Sequence, residues 1–183
     1  MKRIIALTAL GYDQPGIVAS LTECLYNAGC NLEESSMTLL RRDFAIIMLI
    51  TIPADMSTEH VYQCITPAID KFRLTVNIRG LMGNELEEAS ADNPSNYVLS
   101  IYGLDKKGIV YKITSVLARM MVNITGSETH TKTDGSKTIY SFFLEIFVPF
   151  KCSIETLKKN LADVCRELSV DFSLTAVEEY DEM

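Results

Sequence analysis

An internal duplication constrains this chain of 183 residues more than any other feature. The stretch "GYDQPGIV", Gly11 to Val18, returns as "GLDKKGIV", Gly103 to Val110, and 92 residues separate Asp13 from Asp105. At that shift Ile17, Val18, Leu21, Cys24, Leu25 and Ala28 fall on Ile109, Val110, Ile113, Val116, Leu117 and Met120. Positions spaced in this way line one stripe of an α-helix, the stripe that packs on a sheet. The apolar run Ile4 to Leu10 and its repeat in "NYVLSIYGLD", Asn96 to Asp105, predict strands. Each half therefore opens strand, turn, helix. Past the helix, "GCNLEES" matches "MVNITGS", which places Asn31 on Asn123 and Ser35 on Ser127.

The second half then gains four residues, because Pro53 aligns with Pro149 at a separation of 96. The gain falls in "HTKTDGSKT", His130 to Thr138, where Asp134-Gly135 between β-prone runs signals a hairpin, and hairpin tips accept insertions cheaply. At the new shift "AIIMLITIP" matches "SFFLEIFVP". Ser57, Val61, Ile65 and Ile69 then match Ser153, Leu157, Leu161 and Cys165. Ser57 and Ser153 stand where helix caps belong, followed by Glu59 and Glu155, whose charge favours a helix start. "RLTVNIRG" and "VDFSLTAVEE" alternate as last strands. Each half reads βαββαβ, the ferredoxin-like order of an antiparallel sheet with two helices on one face, so the chain is expected to be α+β. The boundaries read as 1–80 for the first domain, 81–95 for a polar, acidic linker and 96–180 for the second domain. A unit of this kind leaves a strand edge and a sheet face uncovered, which favours pairing of units or of two chains as a homodimer.

Charge and composition exclude several functions. A formal net charge of −7 opposes direct binding to nucleic acid, whose phosphates demand Lys and Arg. The basic pairs Arg41-Arg42 and Lys158-Lys159 lie in different halves and read as solvated faces. Five cysteines without a CxxC pair read as reduced core thiols of a cytoplasmic protein. The N-terminal apolar run is short, lacks a cleavage site and recurs inside the chain, so it reads as a strand and not a signal; no segment is long enough to span a membrane. His60 and His130 lie on different element types without ligand spacing, so no metal is expected. No nucleophile elbow, P-loop or dinucleotide fingerprint is present, and no catalytic residue or cofactor is assigned. Glu33-Glu34 reads as a surface charge pair, since neighbours on a strand point to opposite faces. The glycosylation pattern at Asn123 opens a strand and is set aside. Most of the methionines fall on apolar strand or helix positions and read as core.

Two readings of the repeated turn stay open. Gly16 lacks a Cβ where a helix begins, so bare amides beside the positive helix end can receive an anion, and Asn31 can donate to a carboxylate or accept from an ammonium group. An amino-acid zwitterion suits that pair. Alternatively Asp13 caps the helix, Pro15 and Gly16 shape the turn, and Asn31 tolerates a bend.

The stretch "ALGYDQPGIVASLTECLYNAGCNLEESSM" followed by "FAIIML" resembles ACT domains, small regulatory modules of βαββαβ order, and most nearly the tandem ACT proteins of the glycine cleavage system transcriptional repressor family. The resemblance implies that an amino acid sits between paired units, held by the turn after the first strand and the following Asn. Carried onto this chain it marks Tyr12, Asp13, Gln14, Pro15, Gly16, Ile17 and Asn31, then Asp105, Gly108, Ile109 and Asn123. Lys106, Lys107 and Met121 depart from Gln14, Pro15 and Gly29 in the first half, so the second match is the weaker. The implied partners are a small amino acid, glycine foremost, and a DNA-binding regulatory protein. An accessory subunit regulating an amino-acid enzyme is the alternative.

Overall fold

The computed structural model describes residues 3–81, 96–135 and 137–177, so 82–95 of the expected linker lies outside the described residues. The chain divides into two compact units, within residues 1–91 and 92–183.

In the first unit β1 (Arg3–Tyr12) leads to α1 (Ile17–Asn27), β2 (Asn31–Leu40), β3 (Asp43–Ile52), α2 (Thr58–Phe72) and β4 (Thr75–Gly80). The second repeats the order: β5 (Tyr97–Leu104), α3 (Ile109–Arg119), β6 (Asn123–Asp134), β7 (Lys137–Phe147), α4 (Ile154–Leu168) and β8 (Val170–Ala176). The sheets run β2-β3-β1-β4 and β6-β7-β5-β8, antiparallel throughout. Both are the βαββαβ arrangement that the duplication predicts, with Asp13 and Asp105, and Asn31 and Asn123, in equivalent places.

Each unit has its own core. On β1 and β3 the alternate residues Ile5, Leu7, Ala9, Phe44, Ile46, Met48 and Ile50 are buried together with Leu21, Leu25, Val61 and Ile65 of the helices. In the second unit Leu99, Ile101, Phe142, Leu144 and Ile146 meet Ile113, Leu117, Leu157 and Leu161. Period two on the strands and period 3.6 on the helices thus converge on one apolar layer. The predicted stripe needs trimming: Val18 and Val110 are exposed, and Ala28 and Met120 are the C-caps of their helices. Of the five thiols only Cys165 is fully in the core, the other four being half-buried.

The four-residue gain is not a larger tip. Arg41 and Arg42 form the turn between the Leu40–Asp43 pair, and Gly135 turns the chain just past Asp134 of the Asp134–Lys137 pair. Arg41 and Gly135 open those turns at φ 58° and 60°. The extra residues add the ladder pairs Thr133–Thr138 and Asp134–Lys137, so the hairpin is longer and its turn falls one position later than the Asp134-Gly135 signal predicts. A ladder extension keeps every new backbone group paired except at the edge, which a looser loop would not.

Candidate functional site

The repeated turn has one backbone in both units. Gly16 and Gly108 are the N-caps of α1 and α3, at φ 97° and 93°, a left-handed conformation that side chains with a Cβ rarely adopt. Added Cβ atoms would meet little there, with only Phe72 Cζ at 3.6 Å from the first, so the glycines serve conformation and not clearance. Asp13 N–H donates to Arg42 C=O at 2.8 Å, and Asp105 N–H to Thr138 C=O at 2.9 Å, tying each turn to its neighbouring hairpin. Among the described residues no side chain caps either helix. The Asp13 cap of the alternative reading is therefore not formed. The ladders begin with Ser20 N–H to Gly16 C=O and Lys112 N–H to Gly108 C=O, which leaves three amides ahead of each as donors aimed outward.

The other two helices are closed. Ser57 Oγ accepts from His60 N–H and Ser153 Oγ from Thr156 N–H, at 3.1 and 3.3 Å, with Glu59 and Glu155 in the first turns. A carboxylate there repels an arriving anion, whereas α1 and α3 carry no acid in their first turns. Each unit thus has one open and one closed helix start.

The candidate residues divide into two places. Tyr12, Asp13, Gln14, Pro15 and Gly16 are exposed around the first turn, and the Arg42 guanidinium lies 5.3 Å from the Tyr12 ring centre. Ile17 and Ile109 point into the core, so each offers the turn only its amide. Asn31 lies at the opposite end of α1, which at 11 residues is about 16 Å long. Its partner on β3 is Thr51, while Tyr12 pairs with Asp43. The turn and the Asn do not meet within one unit, and the same holds for Gly108 and Asn123.

Each place is nonetheless shaped. Asp105, Lys106, Gly108, Ile109, Tyr111 and Tyr140 surround a concavity of about 500 Å³ at the second turn. Thr22, Leu25, Tyr26, Cys30, Asn31 and Leu32 line a groove of about 220 Å³, and matched residues from Thr114 to Ile124 line one of about 370 Å³ around Asn123. The duplication thus preserves a groove at the Asn as well as an open helix start.

Two features escaped sequence reading. The edge strands β2 and β6 each carry a β-bulge: Leu32 opposes Ile50 while Glu34 opposes Leu49, and Ile124 opposes Ile146 while Gly126 opposes Glu145. The extra residues are Glu33 and Thr125. The bulge overturns the alternation assumed for Glu33-Glu34, because Glu33 bonds to Asn31 and Thr51 on the face that Glu34 shares with Leu49. The second feature is Lys106, whose Nζ donates to the Leu168 carbonyl at 2.7 Å and caps the end of α4. Lys112 and Glu167 add an ion pair between α3 and α4.

Other chemistry is sparse. Burial pushes the Cys165 thiol up to about 11, aided by Asp171, and burial followed by the charge of Cys64 raises Cys30. His130 pairs with Glu128 at 3.0 Å and packs edge-on against Phe143. Among the described residues no His, Cys, Asp or Glu group is arranged to hold a metal, and no helix is long and apolar enough to cross a membrane.

Residues 3–79 match the family model of the ACT domain. Fold, turns and family match together define a protein of two ACT-like units. Over 178 residues the chain is 20% identical to the glycine cleavage system transcriptional repressor of Escherichia coli K12, covering 96% of this chain and 91% of that one. The crystal structure of an unknown protein from Galdieria sulphuraria superposes with a TM-score of 0.79 at 26% identity, over 97% of this chain and 100% of that one. A crystal structure whose assignment as a glycine cleavage system transcriptional repressor is provisional gives a TM-score of 0.67 at 20% identity, over 98% and 99%.

Proposed function

We propose that the protein is a non-enzymatic, cytoplasmic regulator that binds a small amino acid, glycine foremost, and passes the bound state to a DNA-binding protein. The observation that carries this reading is the open helix start behind Gly16, a glycine N-cap without a side-chain cap or first-turn acid, beside capped and acidic helix starts elsewhere in the fold. Donor amides at a positive helix end take the ligand carboxylate. Asn31 and its groove take the ammonium end. Because the turn and the Asn lie at opposite ends of α1, one amino acid touches both only when a second copy of the chain supplies the other half. The choice of glycine follows the similarity to the Escherichia coli repressor.

The net charge of −7 favours action through a partner over direct contact with DNA. An amino acid can shift partner affinity only as far as its own affinities for two packings of the protein differ, a coupling of about 1–3 kcal/mol in typical cases. A gel shift at low salt tests the route. The expected result is no shift with the protein alone, and a shift with an added DNA-binding protein that glycine alters. A sequence-selective, salt-sensitive shift by the protein alone contradicts it.

A further inference from the structure

The start of β2 carries a polar cluster that regular strand alternation does not produce. Glu33 is the additional residue of the bulge, and its Oε1 accepts from Asn31 Nδ2 at 3.1 Å and from Thr51 Oγ1 at 2.7 Å. An ionised carboxylate only accepts hydrogen bonds, so chemistry itself requires the nitrogen of the Asn31 amide, and not its oxygen, to face Glu33. The oxygen is thereby turned away from Glu33.

We infer that Glu33 is a positioning residue: it holds the Asn31 amide so that Oδ1 is offered to the ligand, which makes the site select an ammonium group and leaves the ligand carboxylate to the helix amides. The inference rests on the reading of Asn31 as a ligand contact. The second unit lacks the device. Thr125 takes the bulge position and Phe147 opposes Asn123, where the first unit has Glu33 and Thr51. A Thr hydroxyl both donates and accepts, so it imposes no polarity on an amide. Asn123 makes no side-chain hydrogen bond among the described residues. Equal folds thus present one oriented amide and one unoriented amide.

The test uses the full chain and three probes: glycine, glycinamide, which lacks the carboxylate, and N-acetylglycine, which lacks the ammonium. Calorimetry should show wild type preferring glycine to N-acetylglycine, and Glu33→Gln, whose amide no longer dictates which atom faces it, should narrow that ratio by about tenfold. Removal of binding by Asn31→Ala together with an unchanged ratio in Glu33→Gln overturns the inference. A ¹H–¹⁵N spectrum without ligand supplies the second arm. The side-chain amide signals of Asn31, identified by their loss in Asn31→Ala, should move in Glu33→Gln while those of Asn123 stay. Signals of Asn31 that stay put overturn the positioning outright. Should none of the probes bind wild type, the amino-acid reading fails and the selectivity with it, and the spectrum alone then decides whether Glu33 holds the amide.

Discussion

The first and second turns share a backbone and differ in what secures it. Gly16 and Gly108 have nearly the same φ, and Asp13 and Asp105 make the same bond to the adjacent hairpin. In the second unit Lys106 reaches from the turn to the last carbonyl of α4, and Lys112 pairs with Glu167 one residue earlier. In the first unit Gln14 and Ser20 stand at those positions, and Gln14 makes no hydrogen bond among the described residues. A cation at a helix C-terminus is a stabilising cap, so the second turn is fastened to its own scaffold while the first is left open. Duplication supplied one backbone turn twice; side-chain divergence fastened the second turn to its own scaffold and not the first.

The comparison can be broken at three points. The largest expected effect is kinetic. Cys165 stands where the first unit has Ile69, and burial lifts its thiol from 9.0 to about 11, so at pH 8 its thiolate is about 100-fold scarcer than that of an ordinary thiol. Alkylation at pH 8, followed by peptide mass spectrometry, should modify Cys165 at least 100-fold more slowly than a free thiol. Comparable rates would place Cys165 outside the core.

Next come the glycines. Gly16→Ala and Gly108→Ala should each destabilise the unit that carries them by about 1–2 kcal/mol, the cost of a Cβ in the left-handed region. Hydrogen exchange of core amides, read separately for each unit, measures both. A variant without cost would mean that the two turns are not equivalent in backbone.

The smallest effect sharpens the difference in side chains. Lys106→Met should cost the second unit about 1 kcal/mol by removing the α4 cap, while Gln14→Met should leave the first within about 0.5 kcal/mol. Equal costs would deny that only the second turn is fastened.

Most of the fold was legible because it was written twice. The matched apolar positions Leu21 and Ile113, and Ile65 and Leu161, are fully buried, and the caps Ser57 and Ser153 act as their positions predict. The candidate residues Gly16 and Gly108 were legible for a related reason, since glycine before a helical stripe marks a special backbone. What stayed hidden depends on three-dimensional register. A bulge has no signature in residue type, so Glu33 reads as half of an exposed charge pair until Leu32 and Glu34 are seen opposite consecutive residues of β3. The cap made by Lys106 spans 62 positions of sequence and cannot be inferred from a turn alone. Met121 misleads in the opposite sense: it departs from Gly29 in type yet keeps a positive φ of 56°, so the backbone is conserved where the letter is not. The separation of the turn from Asn31 is also a consequence of register, because sequence places them at the two ends of one helix without saying that both must serve one ligand.

In the proposed function Asn31 contacts a bound amino acid, and its unoriented counterpart Asn123 contributes less. Calorimetric titration of glycine into wild type, Asn31→Ala and Asn123→Ala tests it most directly. The account predicts measurable binding to wild type, a loss of about 1.5–3 kcal/mol in Asn31→Ala from the missing bond to a charged group, and a smaller change in Asn123→Ala. Equal losses in the two variants, or an affinity indifferent to Asn31, would contradict it.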